Sequence, residues 1–420
     1  MKKKTNILLF TLTFILYLNF NVLASEPSND ALPEIYGSAA ITVDMQTNEI
    51  IYEKNADTKI YPASTTKLLT AILLEKNKKE NDILTYTAGA KVQPESSLNT
   101  SVHPIEVGDS MSAKDVMDGL LMYSANDMAY VIAENISKNA PEFSKKMNEE
   151  VQSLNLKNTH FVTPNGLHDP NHYSTPYDMS IIAREAFKNS WIRNTMSKAS
   201  SRLTTSKGLT FPISNTNKLL GKDGCIAGKT GYTIPAGRCL VAIYERNNRK
   251  ILGVVMHSIY DIKDTYVFND MEKIINWSYN ATPYILYKKD AVISKKNVSY
   301  KFLPFMNFER SMEVPIKVKD NVTYYNNNLN KNELKEEIHI TTINRKSLKG
   351  DIPIGTLTIK ERDVSKSYKI YSALPRNVYL REMLFTYIII LILLFILILI
   401  ILFISIKYKK HRKYNKYKYD

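Results

Sequence analysis

The sequence predicts an α+β protein, with one sheet and a helical cluster, followed by a small all-β domain and a single C-terminal transmembrane helix. Three observations carry that prediction. Alternating apolar and polar residues open the chain near 37–54 and return near 226–257, with helical periodicity filling the stretch between. Short alternating runs resume after Pro283. Residues 384–406 then run 23 positions without a charge.

Taken in order, the chain begins with Lys2, Lys3 and Lys4, an apolar run ILLFTLTFILYLNF, and VLA before Ser25. That is the charge, apolar and small-residue order of a secretory signal peptide over 1–24, cleaved after Ala24. The apolar run is shorter than the roughly 20 residues a span needs. The mature chain is therefore expected to be exported. From Gly37, SAAITVDM and EIIYEKN flank Gln46-Thr47-Asn48 and read as a hairpin. Residues 64–77, 113–122, 127–138, 141–154 and 176–189 are each apolar on one side and read as helices. Strands come next at about 226–232, 238–245 and 250–257, then a helix at about 261–279. Strands at both ends of a helical middle suggest one sheet that closes late, giving a domain over 25–280.

A small β-rich domain is expected over 281–378, from VPIKV at 314–318, IHITTI at 338–343 and GDIPIGTLTI at 350–359. Its Asn-rich stretch YYNNNLNKNEL reads as a solvated turn or loop. A transmembrane helix over 384–406 leads into a basic tail at 407–420, which the positive-inside rule keeps cytoplasmic. The expected placement is the cell membrane, with the bulk of the chain extracytoplasmic.

The formal charge is +15 over 420 residues. The N-terminal lysines contribute +3, and residues 407–420 contribute +6 from seven Lys/Arg against Asp420. The remaining +6 (15 − 3 − 6) is too little for a nucleic-acid footprint, so no nucleic-acid partner is expected. Export permits a disulfide, but Cys225 and Cys239 fall out of register if 226–232 and 238–245 form a hairpin turning near Ile234 and Pro235. Two free thiols are the favoured reading.

Chemistry enters at YPASTTKLLTA, residues 61–71. Positions i and i+3 share a helix face, so Ser64 and Lys67 can bring a hydroxyl and an amine together. The first-turn dipole and partial burial disfavour an ammonium there, which would make Lys67 a base for Ser64. A bare S-x-x-K more often marks a helix cap with a solvated lysine. Here it occurs once in the chain, and so does K-T-G, at Lys229-Thr230-Gly231 on an expected strand, flanked by Gly228 and Tyr232. Two glycines beside a strand lysine suit a strand edge that a substrate backbone lies along, with the ammonium receiving a negative charge. Ser124-Ala125-Asn126 sits in a break between two expected helices, where both side chains could face a cleft; capping by Ser124 or Asn126 is the competing reading.

In this order and spacing the three motifs resemble the penicillin-binding proteins and serine β-lactamases, most nearly the low-molecular-mass D-alanyl-D-alanine carboxypeptidases. MYSANDMA, TPNGLHDPNHYSTPYDM, GKTGYTIPAGRCLVA and GDIPIGTLTI resemble that family too, across about residues 35–375. The resemblance implies a β-lactamase/transpeptidase-like catalytic domain with an antiparallel sheet and a helical cluster. It implies a peptidoglycan stem peptide ending in D-Ala-D-Ala as substrate, β-lactams as covalent inhibitors, and no metal or cofactor. By the same resemblance Ser64 attacks the terminal peptide carbonyl, Lys67 is the base and Ser124 relays a proton to the leaving amine. Asn126 would hold the acyl side chain, and Lys229 and Thr230 the terminal carboxylate. Gly231 would line the strand edge, and the backbone N–H groups of Ser64 and Tyr232 would form the oxyanion hole.

A class A β-lactamase would carry E-x-x-L-N, and in EEVQSLN (149–155) the position three before Leu154 is Val151. A zinc site on His168 and His172 is disfavoured because Pro170 breaks the helix that would align them. A membrane-tethered sensor acylated by β-lactams has little room for output in a 14-residue tail. One departure stands out: such enzymes commonly lie on the membrane through an amphipathic helix, whereas 384–406 should cross it. The β domain would then act as a stalk.

Overall fold

The computed structural model describes residues 31–94, 96–100, 104–301, 309–341 and 343–416. The expected signal peptide lies outside the described residues. Glu34 onward forms one compact body.

Its first part is built on a five-stranded antiparallel sheet in the order Ile50–Lys54, Ala39–Asp44, Arg249–Ser258, Gly237–Arg246, Cys225–Thr233. The sheet is closed across more than 200 residues of chain, because Ala39–Asp44 pairs with Ile251–Met256. Strict alternation sends neighbouring residues to opposite faces, and both faces are dry. Ile41, Val43, Val241, Ile243 and Val254 pack on the helical cluster, while Ala40, Leu240, Ala242, Tyr244 and Val255 meet the helix Thr265–Asn280. Gly253 sets the approach of that helix, since a Cβ there would come 2.4 Å from Met271 Sδ.

The helix Lys67–Asn77 runs through the middle of the cluster, buried at every position from Lys67 to Leu74. A helix apolar on all sides is a core helix, so its one buried lysine is held inside. The segment expected as a helix over 113–122 is helical at Ala113–Asp118 and then widens into a π-turn over Gly119–Tyr123. Ser124 leaves that turn in the left-handed region, with φ 71°, and Asn126–Ile136 begins a new helix. The helix expected from 261 starts at Thr265, because Asp264 has φ 56°. A short helix, Ser190–Met196, and a hairpin, Ser200–Thr204 with Thr210–Ser214, fill a stretch with too few apolar residues to show a period.

Beyond Asn280, six strands form a second sheet in the order Lys335–Ile340, Pro353–Glu361, Val364–Ser372, Glu309–Val318, Val292–Lys301, Ile343–Asn344. Val298, Val314, Ile316, Leu357, Ile359 and Ile370 make its core. The Asn-rich stretch corrects the expectation of a solvated loop. It contains a short helix, Asn328–Glu333, whose Asn330 is buried. Asn327 and Asn330 each donate a side-chain N–H to the Ile50 carbonyl at 2.9 Å. Their amides satisfy a backbone acceptor of the first sheet, work that water would otherwise do. Arg362 adds a bidentate contact to Asp57 at 2.7 Å and reaches Glu333 at 2.9 Å.

The chain ends in one continuous helix, Arg376–Lys416. Its head is fixed to the second sheet by Arg310, 2.9 Å from Glu382, and by Tyr300, whose hydroxyl donates to Glu382 at 3.1 Å. Past that point the apolar side chains of 388–406 are largely exposed, as a surface destined for lipid would be.

Candidate active site

Ser64 lies in a single 3₁₀ turn, Ala63–Thr66, and the α-helix proper starts at Lys67. The turn is held by Thr65, whose Oγ1 donates to the Pro62 carbonyl at 2.6 Å, and by a 2.8 Å bond between Thr66 Oγ1 and His172 Nε2. Ser64 caps no helix, and Lys67 is fully buried rather than partly so. Its Nζ is 2.7 Å from Ser64 Oγ and donates to Asn126 Oδ1 at 2.9 Å and to the Asn165 carbonyl at 2.8 Å. Burial, then the nearby Lys229 charge, hold the Lys67 amine well below the usual lysine range.

Ser124 and Asn126 are positioned by the π-turn. A π-turn carries one extra residue per turn and re-aims the residues beyond it. The Asn126 N–H donates to the Ser96 carbonyl at 2.8 Å, and its side-chain amide faces Lys67 rather than capping the helix. Ser124 Oγ accepts from Lys229 Nζ at 2.8 Å, across 105 residues of sequence.

Lys229, Thr230 and Gly231 lie on Cys225–Thr233, the edge strand of the sheet, whose outer side has no strand partner among the described residues. Lys229 Nζ also donates to the Thr230 carbonyl at 2.8 Å, and burial pulls its amine down to about 7. Thr230 Oγ1 is 2.7 Å from Thr216 Oγ1. Gly231 is a close-approach glycine: a Cβ there would lie 3.0 Å from Ser64 N and 3.1 Å from Pro62 O. The strand edge therefore abuts the turn that carries Ser64. Tyr232 comes next, stacked on Tyr260.

Of the residues singled out by motif, Ser64, Lys67 and Asn126 form one hydrogen-bonded group and Ser124 and Lys229 another, while Gly231, between Thr230 and Tyr232 on the edge strand, lies against the Ser64 turn. Others escaped the motifs. Asn165 contributes a main-chain carbonyl, and its side chain donates to Gln93 Oε1 at 2.9 Å. A carbonyl oxygen has no residue-type signature; only the Pro164-Asn165-Gly166 turn hinted at it. His172 is buried with both ring nitrogens engaged, Nδ1 accepting from the Val162 N–H at 3.0 Å and Nε2 facing Thr66. Burial pushes it down to about 3, and its contact with Thr66 supports the turn that carries Ser64. Cys225 and Cys239 are buried, unbonded thiols.

An edge strand against a serine turn, with a buried amine on each of two serines, is an arrangement suited to acyl transfer through a serine. The family pattern described as D-alanyl-D-alanine carboxypeptidase matches residues 24–259, and the chain belongs to that family. It is 29% identical over 327 residues to the D-alanyl-D-alanine carboxypeptidase DacF of Bacillus subtilis, covering 77% of this chain and 81% of that one. To DacA of Haemophilus influenzae it is 30% identical over 317 residues, 71% of this chain and 77% of that one. Among solved structures, the Streptomyces K15 DD-transpeptidase aligns with a TM-score of 0.54 at 29% identity, covering 60% of this chain and 99% of that one.

Proposed function

We propose that the chain removes the terminal D-alanine from peptidoglycan stem peptides through an acyl-enzyme on Ser64, and that β-lactams trap that acyl-enzyme. The carrying observation is the hydrogen-bond inventory of Lys67. A neutral amine has two N–H donors and one lone pair. Asn126 Oδ1 and the Asn165 carbonyl, which can only accept in this arrangement, occupy the two donors. The lone pair is then left for the Ser64 O–H at 2.7 Å.

The steps derive from that arrangement. Lys67 takes the Ser64 proton as Oγ bonds to the carbonyl carbon. The oxyanion forms beside the N–H groups of Ser64 and Tyr232, a pairing that the close approach of Gly231 to the Ser64 N–H supports. The C–N bond breaks as Ser124 protonates the leaving nitrogen, and Lys229 replaces that proton across 2.8 Å. Water then attacks the ester and returns one proton through Ser124 to Lys229, while Lys67 returns its own to Ser64. Lys229 and Thr230 receive the terminal carboxylate, which pairs with the ammonium and holds the peptide along the strand edge. Asn126 orients the acyl side.

The terminal helix anchors the enzyme in the membrane, with the catalytic part outside the cell and the basic tail inside. The experiment is labelling of the full-length protein in detergent with a fluorescent penicillin, alongside D-alanine release from a peptide ending in D-Ala-D-Ala. Both should occur and both should vanish in Ser64→Ala. Labelling that survives the substitution would refute the assignment.

A further inference from the structure

Past Gly231 the cleft edge leads onto an unusual surface. Tyr232 stacks on Tyr260 with ring centroids 4.7 Å apart and 25° between planes. The Arg238 guanidinium covers both rings, at 4.3 and 4.9 Å. Its charge is matched by Asp264, which also meets Lys218 at 3.5 Å. Beside the rings, Ile234 is 87% exposed and Ile262 92% exposed. Tyr232 faces Arg238 across the hairpin, and Arg238 faces Ser258 on the next strand, so 232–238 and 258–264 form one rim. Two isoleucines that bury almost nothing contribute nothing to the core; a rim apolar at its tips suits an apolar ligand group.

The register along the edge strand says which group. Resting on the proposed function, the donor's carboxylate sits at Lys229 and Thr230, and its scissile carbonyl sits where Gly231 meets Ser64. An extended chain advances about 3.3 Å per residue, so the donor's upstream portion passes Tyr232 and Thr233 toward Ile234. We infer that Tyr232, Tyr260, Ile234 and Ile262 form an accessory subsite for the acyl side of the donor, selecting uncharged aliphatic or aromatic groups there. Arg238, which covers both rings, is already paired with Asp264, so the aromatic platform itself presents ring faces and isoleucine side chains.

The test uses full-length protein in detergent and three penicillins that share nucleus and amide but carry phenylacetyl, acetyl or succinyl groups. Second-order acylation rates are measured for the wild type, Ile234→Ser, Ile262→Ser and Ile262→Leu. The phenylacetyl compound should react about tenfold faster than the acetyl one, a typical discrimination for one apolar contact. Either serine variant should lower that ratio to about twofold, and Ile262→Leu should keep it. Unchanged ratios in both serine variants, or a wild-type preference for succinyl, overturn the subsite. Ser64-independent labelling would instead strike at the proposed function, so the two failures are distinguishable. Ile234, at an exposed turn tip, tests the idea even if the other variants fold poorly.

Discussion

Gly166 lies so close to Ala63 that a Cβ on it would come 2.0 Å from the Ala63 carbonyl oxygen and 2.9 Å from Thr66 Oγ1. Gly166 has φ +82° and Ala63 itself has φ 49°, one residue before Ser64. A loop carrying Asn165, which meets Lys67, is thus pressed against a turn already in a sparsely populated conformation. Gly166→Ala should therefore displace Ser64 while the core survives. Acylation by penicillin should fall by about a hundredfold, the scale of a 1 Å misplacement, with little change in far-UV circular dichroism. Near-wild-type acylation would mean that the loop does not position the turn.

The two lysines should set opposite limbs of the pH profile. On the proposed mechanism Lys67 acts when neutral, and burial and the Lys229 charge hold it well below the lysine range, so the acidic limb of kcat/KM should fall far below pH 10. On the same mechanism Lys229 binds the carboxylate when charged, and with its amine at about 7 the rate should decline above about pH 7. A bound carboxylate favours the ammonium, so the basic limb of kcat should lie at higher pH than that of kcat/KM. An acidic limb near an unperturbed lysine would contradict the assignment.

Stability should depend on pH through Glu361. It is 2% exposed, neither carboxylate oxygen has a hydrogen-bond donor among the described residues, and it borders a cavity of about 40 Å³ with Asn330 and Arg184. Burial pushes it up to about 7, with Lys366 opposing and Glu49 adding to the rise. An acid whose folded value is raised holds its proton more tightly when folded. Stability is therefore fullest below its ordinary value near 4.5, falls as pH rises toward about 7, and then levels off. In Glu361→Gln that decline should flatten, which melting temperatures between pH 4 and 8 would show.

Arg362, in the turn between Pro353–Glu361 and Val364–Ser372, contacts Glu333 of its own part, reaches Asp57 of the first part and lies 4.3 Å over the Tyr177 ring. Its guanidinium is mostly buried, so Arg362→Ala leaves two carboxylates partly unpaired, at a cost on the order of 2 kcal/mol. Calorimetry should show the first domain and the β domain unfolding closer to independently, with penicillin labelling retained.

The terminal helix predicts its own topology. In intact cells an external protease should leave the tail at Lys409 and Lys410 untouched, whereas the β domain should be accessible. Cleavage at the tail from outside would reverse the orientation.

The sequence by itself determined the features set by short-range periodicity. Three-residue spacing on a turn entering a helix was enough to place Ser64 and Lys67 2.7 Å apart, and period-two alternation in 225–258 was enough to build the sheet centre. The 23-residue apolar run needed no partner to be read as a span. Tertiary structure alone decided which distant groups would share the cleft. Lys229 reaches Ser124 only because a π-turn re-aims the serine, and Lys67 has its second acceptor only because a loop 98 residues away offers a main-chain oxygen. The Asn-rich stretch looked solvated because the Ile50 carbonyl its Asn330 satisfies lies 280 residues upstream. Local propensity is written in neighbouring side chains, whereas a backbone acceptor brought in by packing looks the same at every residue type.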